Sequence, residues 1–193
     1  MTAILPRTPE GTRERLIAIV RERSFQSGET FRLASGRMSN LYFNMKPTML
    51  DPEGAYLLAS LLLDAIGEDA AEHIGGLEVG AIPLATAVAV VSHLRGRPRR
   101  ALFVRKATKE HGTQSLVEGL RRGESLSGRR VIVLEDVTTT GGSALKAAEA
   151  LRGQGAIVDR VITLLDREEG AEVALSAAGL ALGRVLKAAD FTS

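Results

Sequence analysis

From Asp51 onward, short apolar runs alternate with helix-patterned segments, and this predicts an α/β protein with a parallel sheet and helices on both faces. Two further observations agree. The chain has 193 residues and 45% hydrophobic content, enough for one well-buried domain with a small appendage. The segment from Val131 to Ala144 joins a β-branched apolar run to a Thr/Gly loop and then a helix start, the strand–loop–helix unit of such sheets.

The elements follow in order. Thr8-Pro9-Glu10 opens a helix reaching about Ser24, with Leu16, Ile17, Ile19 and Val20 as its apolar face. Phe31 to Leu33 and Leu41 to Asn44 read as short strands around the turn Ser35-Gly36-Arg37. Asp51-Pro52-Glu53 combines an N-cap, a proline at the first helical position and an acid that suits the helix dipole. Gly67 stops that helix. A strand near His73 to Leu77 leads to a helix from about Pro83 to Leu94, then to a strand at Ala101 to Val104 and a polar stretch. Strand Val131 to Leu134 feeds a helix from about Ala144 to Leu151, stopped by Gly153. A strand at Ile157 to Leu165, a helix near Glu168 to Ala178 and a strand near Ala181 to Leu186 complete the chain. The expected organisation is one domain over 1–193, with N-terminal elements at about 1–48 set on an α/β core at about 49–193.

Composition narrows the function classes. With no cysteine there are no disulfides and no thiolate metal sites, which suits a reducing compartment. A formal charge of +2 is nearly balanced, so a pI of 9.2 gives little support for nucleic-acid binding. The longest apolar stretch, Ala81 to Val91, is well short of the roughly 20 residues a membrane span needs. Met1 to Pro9 does not read as a signal peptide. The expectation is a cytoplasmic protein that binds neither membrane nor nucleic acid.

Two constellations carry chemistry. In the first, the strand Val131 to Leu134 runs into Glu135 and Asp136, and Thr138, Thr139, Thr140, Gly141, Gly142 and Ser143 follow before the helix. A helix start with bare backbone N–H groups receives phosphate, glycines let the backbone approach it, and paired acids accept bonds from sugar hydroxyls. The plainer reading is a strand-to-helix turn, with Ser143 as N-cap and the glycines supplying positive φ. No Lys follows the glycines as in a Walker loop, and the dinucleotide Gly-x-Gly-x-x-Gly spacing is absent. In the second constellation, Arg105, Lys106, Lys109 and His111 fall within seven positions after a strand of the same sheet. Such a cluster is either a solvated surface or a polyanion site. Cations folding over a departing pyrophosphate neutralise its growing charge, usually with Mg²⁺, and a closing loop excludes water. Together the two point to transfer of a phosphoribosyl group.

At these residues the chain resembles a known family. Val131 to Ala144 resembles the phosphoribosyl-pyrophosphate motif of type I phosphoribosyltransferases. Arg105-Lys106-x-x-Lys109-x-His111-Gly112 resembles the catalytic loop of the orotate phosphoribosyltransferases. Leu33-x-Ser35-Gly36-Arg37-x-Ser39-x-x-Tyr42-Phe43, Gly80 to Ala85 and Leu165-Asp166-Arg167-x-Glu169-Gly170 are similar to that group's N-terminal segment, pyrophosphate loop and base-site strand end. The resemblance implies the type I fold with a small N-terminal hood. It implies transfer from 5-phosphoribosyl 1-pyrophosphate to orotate, giving orotidine 5′-monophosphate in UMP synthesis. Glu135 and Asp136 would hold the ribose hydroxyls beneath the developing oxocarbenium charge, and the Thr138 to Ser143 loop the 5-phosphate. Lys109 and His111 would reach the pyrophosphate, with Arg105 and Lys106 beside them. Arg167 would fork onto the orotate carboxylate, and Phe43 would help form the base pocket. Catalytic roles fall to Lys109, His111 and Asp136. Mg²⁺ is implied as cofactor, held mainly by the substrate, and so is a homodimer whose catalytic loop serves the neighbouring subunit.

Two positions depart from the pattern. Some relatives carry Lys where this chain has Ala34, and Lys again before the pyrophosphate loop, where it has Gly80 followed by Ala81. Lys46 and Arg37 are the nearby cations that could replace them. His73 and His93 read as structural, and Asp64, Glu68, Asp69 and Glu72 as a solvated helix end. The competing functions are a purine or other-base phosphoribosyltransferase, whose base has no carboxylate for Arg167, and a non-catalytic regulator that senses the sugar pyrophosphate. With two Tyr, five Phe and no Trp, an aromatic-interleaved RNA-binding face is not evident.

Overall fold

The structure, a computed structural model, describes residues 8–32, 38–107 and 115–192. Its centre is a six-stranded sheet in the order β5-β4-β3-β6-β7-β8, formed by His73–Leu77 (β3), Arg100–Val104 (β4), Val117–Glu118 (β5), Val131–Thr138 (β6), Arg160–Asp166 (β7) and Ala181–Lys187 (β8). All neighbours pair in parallel except β5, which lies antiparallel along β4. From β3 the chain crosses to β4 on one side, and β6, β7 and β8 build out on the other. The switch in direction therefore lies between β3 and β6, where open α/β sheets form their ligand crevice.

Both faces are covered, as the alternation predicts. On β6, Ile132 and Leu134 enter one apolar cluster with Leu16 and Ile19 of α1 (Thr12–Arg23), Leu58 and Leu62 of α3 (Pro52–Ile66), and Leu84 and Val88 of α4 (Ala81–Leu94). Val131 and Val133 enter the other, with Ala147 and Leu151 of α5 (Gly142–Gly153) and Leu175 of α6 (Ala171–Ala177). This is the period of two expected of a strand buried on both sides. The N-terminal hairpin, β1 (Phe25–Arg32) and β2 (Met38–Phe43), forms a separate antiparallel sheet. It is tied down by an aromatic trio: Phe25–Phe43 centroids are 4.9 Å apart, and Phe191 of a C-terminal 3₁₀ turn lies 5.2 Å from Phe43.

Where the elements differ from expectation, the causes are local. Helix α1 begins at Thr12 rather than near Thr8, because Gly11 sits in the left-handed region (φ 78°) before the first turn. Helix α3 has the predicted ends: Asp51 accepts from the Gly54 N–H at 2.9 Å, and Gly67 has φ 63°. Helix α4 starts two residues before Pro83, whose missing N–H costs nothing in a first turn. Strand β6 runs on to Thr138, since β7 continues to pair with it at Glu135, Val137 and Thr138 after its pairing with β3 ends at Val133. Strand β7 starts at Arg160, the Ile157 region making only an isolated bridge to Arg130, and α6 starts after Gly170 (φ 100°). The short helix α2 (Lys46–Met49), strand β5 and the 3₁₀ turn Ala188–Phe191 were not expected. The turn Ser35-Gly36-Arg37 lies outside the described residues.

Asp64, Glu68 and Glu72 are exposed at and beyond the end of α3, as expected of a solvated helix end, and Asp69 is half-buried. Each meets an arginine: Asp64–Arg95 at 2.9 Å, Glu68–Arg97 at 2.5 Å, Asp69–Arg160 at 3.5 Å and Glu72–Arg129 at 3.5 Å. Arg99 is buried among carbonyls, donating to those of Ala71, Gly67 and Asp69 at the end of α3. A cavity of about 480 Å³ lies among these groups at the amino end of the sheet. His73 is buried beside Glu124 (3.4 Å) and His93 is exposed, neither near the carboxyl ends of the strands.

Strand β3 leaves no room for side chains at two positions. A Cβ on Gly75 would run into the Leu102 carbonyl, and one on Gly76 into the Leu134 carbonyl. Because both obstacles are backbone, Gly76→Ala is expected to cost about 3 kcal/mol or more, the upper range for overpacking. A urea-unfolding midpoint within error of the wild type would contradict this.

Candidate functional site

The predicted site residues that the structure describes cluster at the carboxyl ends of β3, β4, β6 and β7. Glu78 and Gly80 follow β3, Arg105 and Lys106 follow β4, Glu135 to Ser143 end β6 and open α5, and Arg167 follows β7. Lys109 and His111 lie outside the described residues, as does Arg37. Lys46 is exposed on α2 and borders the same groove as Val79, next to the pyrophosphate loop.

The loop after β6 wraps a cavity of about 230 Å³ lined by Glu135, Val137, Thr138 to Ala144 and Lys146. Gly141 adopts φ 84° at the N-cap of α5, and no side-chain cap bonds the first turn among the described residues. Ser143 lies inside the helix and does not cap it, so the plainer turn reading fails at that residue. The left-handed conformation falls on Gly141 alone. Uncapped N–H groups at the start of a twelve-residue helix, beside a row of hydroxyls, make a receptor for an anion.

The two acids differ sharply. Glu135 is buried (8% exposed) and its Oε2 has no hydrogen-bond partner among the described residues; the same holds for the buried Thr138 Oγ1. Burial, reinforced by the neighbouring Asp136, pushes the Glu135 carboxyl up to about 8, with Lys106 opposing the shift. Asp136 is half-buried, and its Oδ1 accepts from the Val137 N–H at 2.9 Å. Its carboxylate fills the space over Gly80, where a Cβ would come within 2.5 Å of Oδ2. Any side chain at this position would have to displace the acid.

Among the predicted cations, Lys106 is exposed, and its N–H donates to Glu78 Oε1 at 2.7 Å. Glu78, which the sequence did not single out, thus ties the loop after β4 to the loop after β3. Arg105 turns the other way: its Nε donates to the Ala107 carbonyl at 3.2 Å, and Nη1 lies 3.9 Å from Glu118 of β5. Arg167 is buried above the Phe43 ring (5.9 Å from guanidinium carbon to centroid). Its Nη2 donates to Ser39 Oγ at 2.8 Å and lies 2.9 Å from Glu169 Oε1. Phe43 therefore presents one face to Arg167 while contributing to the hood's aromatic trio.

The raised Glu135 carboxyl fixes the sign of a pH effect. In the unfolded chain the acid ionises near 4.5, whereas the folded protein holds its proton to about 8. Folding is therefore favoured most below 4.5, and this contribution is lost as pH rises toward 8. Glu135→Gln removes the titration, so the thermal-unfolding midpoint of the variant gains on the wild type between pH 5 and pH 8. A constant gap would contradict the assignment.

With this geometry in view, the likeness to known proteins is specific. The Phosphoribosyl transferase domain family matches residues 52–177. An orotate phosphoribosyltransferase from Bradyrhizobium sp. (strain ORS 278) is 56% identical over 180 residues, covering 93% of this chain and 97% of that protein. Among solved structures, the Mycobacterium tuberculosis H37Rv orotate phosphoribosyltransferase in complex with 5-phospho-alpha-D-ribosyl 1-diphosphate superposes with a TM-score of 0.77 at 35% identity, covering 94% of this chain and 99% of that one. An adenine phosphoribosyltransferase from Rhodothermus marinus shares the fold at a TM-score of 0.61 and 17% identity, over 90% of this chain and 99% of its own. The chain belongs to the phosphoribosyltransferase family and, within it, to the orotate phosphoribosyltransferases.

Proposed function

We propose that the protein transfers the phosphoribosyl group of 5-phosphoribosyl 1-pyrophosphate to orotate, releasing pyrophosphate and forming orotidine 5′-monophosphate. The observation that carries this reading is the join at the crevice. An anion cup at the start of α5 continues into the Glu135 and Thr138 polar atoms, with a buried guanidinium on the adjacent strand end.

The 5-phosphate lies in the Thr138 to Ser143 cup, and Glu135 and Asp136 hold the ribose hydroxyls. A protonated Glu135 donates as well as accepts there, and Asp136 stands under the charge that develops as the bond from C1 to pyrophosphate breaks. Lys106, with Lys109 and His111 from the same loop, meets the pyrophosphate; Arg105 adds charge from beside β5. Arg167 receives the orotate carboxylate, and Phe43 supports it from below. The hood and the core act as one unit, since the base site draws on both.

The residues fit a Mg²⁺ ion that arrives on the substrate. Among the described residues, no three carboxylate or imidazole groups gather to cage a cation, whereas Glu135 and Asp136 offer hard oxygens beside the cup. Bound there, the ion would supply charge neutralisation on the pyrophosphate. No helix of the described residues is long and apolar enough to cross a membrane, in keeping with a cytoplasmic enzyme.

A homodimer completes the proposal. A groove of about 540 Å³ with a mainly apolar lining runs between α2 and α4, and Leu50 (72% exposed) and Val79 (59%) stand open on the same face. Val79 adjoins Gly80, which packs on Asp136, so a second copy seated here would bring its own loop to this crevice.

The deciding assay measures pyrophosphate release with Mg²⁺, the sugar pyrophosphate and either orotate, uracil, adenine, hypoxanthine or guanine. Release is expected with orotate; release with a purine and not orotate would overturn the reading. Loop sharing has its own test. Lys109→Ala and Asp136→Asn subunits, each crippled alone, should regain partial activity when mixed, and heterodimers that form without recovery would refute it.

A further inference from the structure

Arg167 does not offer its guanidinium freely. A guanidinium grips a carboxylate through one of two forked edges, Nε with Nη2 or Nη1 with Nη2, and both edges use Nη2. Here Nη2 already faces two oxygens, Ser39 Oγ at 2.8 Å and Glu169 Oε1 at 2.9 Å. The guanidinium is buried, with 5% of the side chain exposed, and Glu169 is 21% exposed. Each member of the pair also keeps a buried atom without a hydrogen-bond partner among the described residues, Arg167 Nε and Glu169 Oε2. The pair is thus held through a single contact. Its position follows from β7: the Arg167 N–H donates to the Thr138 carbonyl, and Glu168, in the left-handed region at φ 58°, turns the chain so that Glu169 comes back toward the guanidinium.

We propose that Glu169 is a specificity-determining residue that competes with the carboxylate of the base for Arg167. This rests on the proposed orotate chemistry and adds a residue to it. A base carboxylate can fork onto Arg167 only if Glu169 yields its hold on Nη2. If Glu169 stayed, two anions would share one buried cation, which is unfavourable at low dielectric. The competition lowers affinity for any carboxylated base and leaves a base without that group unaffected. Glu169 thereby tunes the preference for orotate over uracil. Ser39, a neutral partner, does not impose this charge penalty.

The test is Glu169→Gln, which keeps the side-chain volume and removes the charge. Steady-state kinetics are measured with orotate, with uracil and with varied sugar pyrophosphate, alongside thermal unfolding. The expected result is a KM for orotate lower by about three- to tenfold, the scale of one weakened charge contact. The kcat and the KM for the sugar pyrophosphate should stay within about twofold, the pattern of a change in binding shared by ground and transition states. The ratio of kcat/KM for orotate to that for uracil should rise by the same factor. Glu169→Asp, which draws the carboxylate back by one methylene, should shift KM in the same direction by less. It also provides the measurement if the glutamine variant unfolds. A KM for orotate that rises or does not move in a folded variant would overturn the competition, because Glu169 would then be a support for Arg167 or a bystander. Wild-type protein that does not turn over orotate at all would defeat the functional reading and this inference with it; wild-type turnover with the wrong KM shift defeats only this inference.

Discussion

Around the start of the crevice, backbone packs on backbone with no space for side chains. Gly76 of β3 lies against the Leu134 carbonyl of β6, and just beyond it Gly80 lies under the Asp136 carboxylate. Just before these contacts the two strands stop pairing, at Gly75 and Val133, while β6 stays paired to β7 as far as Thr138. The parting of β3 from β6 creates the crevice, and the glycines set how closely its walls begin. Bulk at Gly76 would push β6 outward and carry both acids with it. Bulk at Gly80 would push Asp136 alone. Both the sheet and the site therefore depend on the same short run of absent side chains.

Much of this could be read from the sequence because the signals are local. Helix α3 announces both ends through Asp51, Pro52 and Gly67, and its observed limits agree. Strand β3 is apolar enough to be found residue for residue. The missed elements take their stability from partners distant in sequence. Strand β5 is two residues long and exists only by pairing with Phe103 and Val104. Strand β1 includes Ser27 and Gly28, which carry no strand pattern, and is extended by its register with β2. Glu135 to Thr138 would end most apolar strands, yet β7 holds them in the ladder.

The site divides in the same way. The Thr/Gly loop could be read as the strand-to-helix turn that lines a cavity because its chemistry and its turn share one stretch of chain. The distinction between Glu135 and Asp136 was not legible, since adjacent acids look alike until one is found buried and the other backed against Gly80. The acids from Asp64 to Glu72 could be read as a surface cluster, but their pairings could not, because their arginines lie 29 to 91 residues away along the chain, from Glu68–Arg97 to Asp69–Arg160. Glu169 could be quoted from a motif but given no task until its oxygen was seen beside Nη2 of Arg167.

The distribution of charge separates the two ends of the sheet. At the amino ends of the strands, acid meets arginine: Arg100 with Glu124, Arg130 with Asp159, Arg160 with Asp69, and the pairs around α3. Such pairs contribute little individually, and Ser60 Oγ, His73 Nδ1 and Arg95 Nε remain buried without a partner among the described residues. At the carboxyl ends the unpartnered atoms gather around one crevice. Glu135 keeps a buried oxygen and Thr138 a buried hydroxyl without partners among the described residues, and Arg167 and Glu169 meet at one contact with an atom of each left over. A buried polar atom without a partner costs on the order of 1–3 kcal/mol, so four in one crevice is a concentration of instability that folding alone does not explain. A ligand carrying hydroxyls and a carboxylate would satisfy the Glu135, Thr138 and Arg167 atoms on binding, while Glu169 would have to turn to solvent, and the net affinity gained there would draw on stability given up in forming the site.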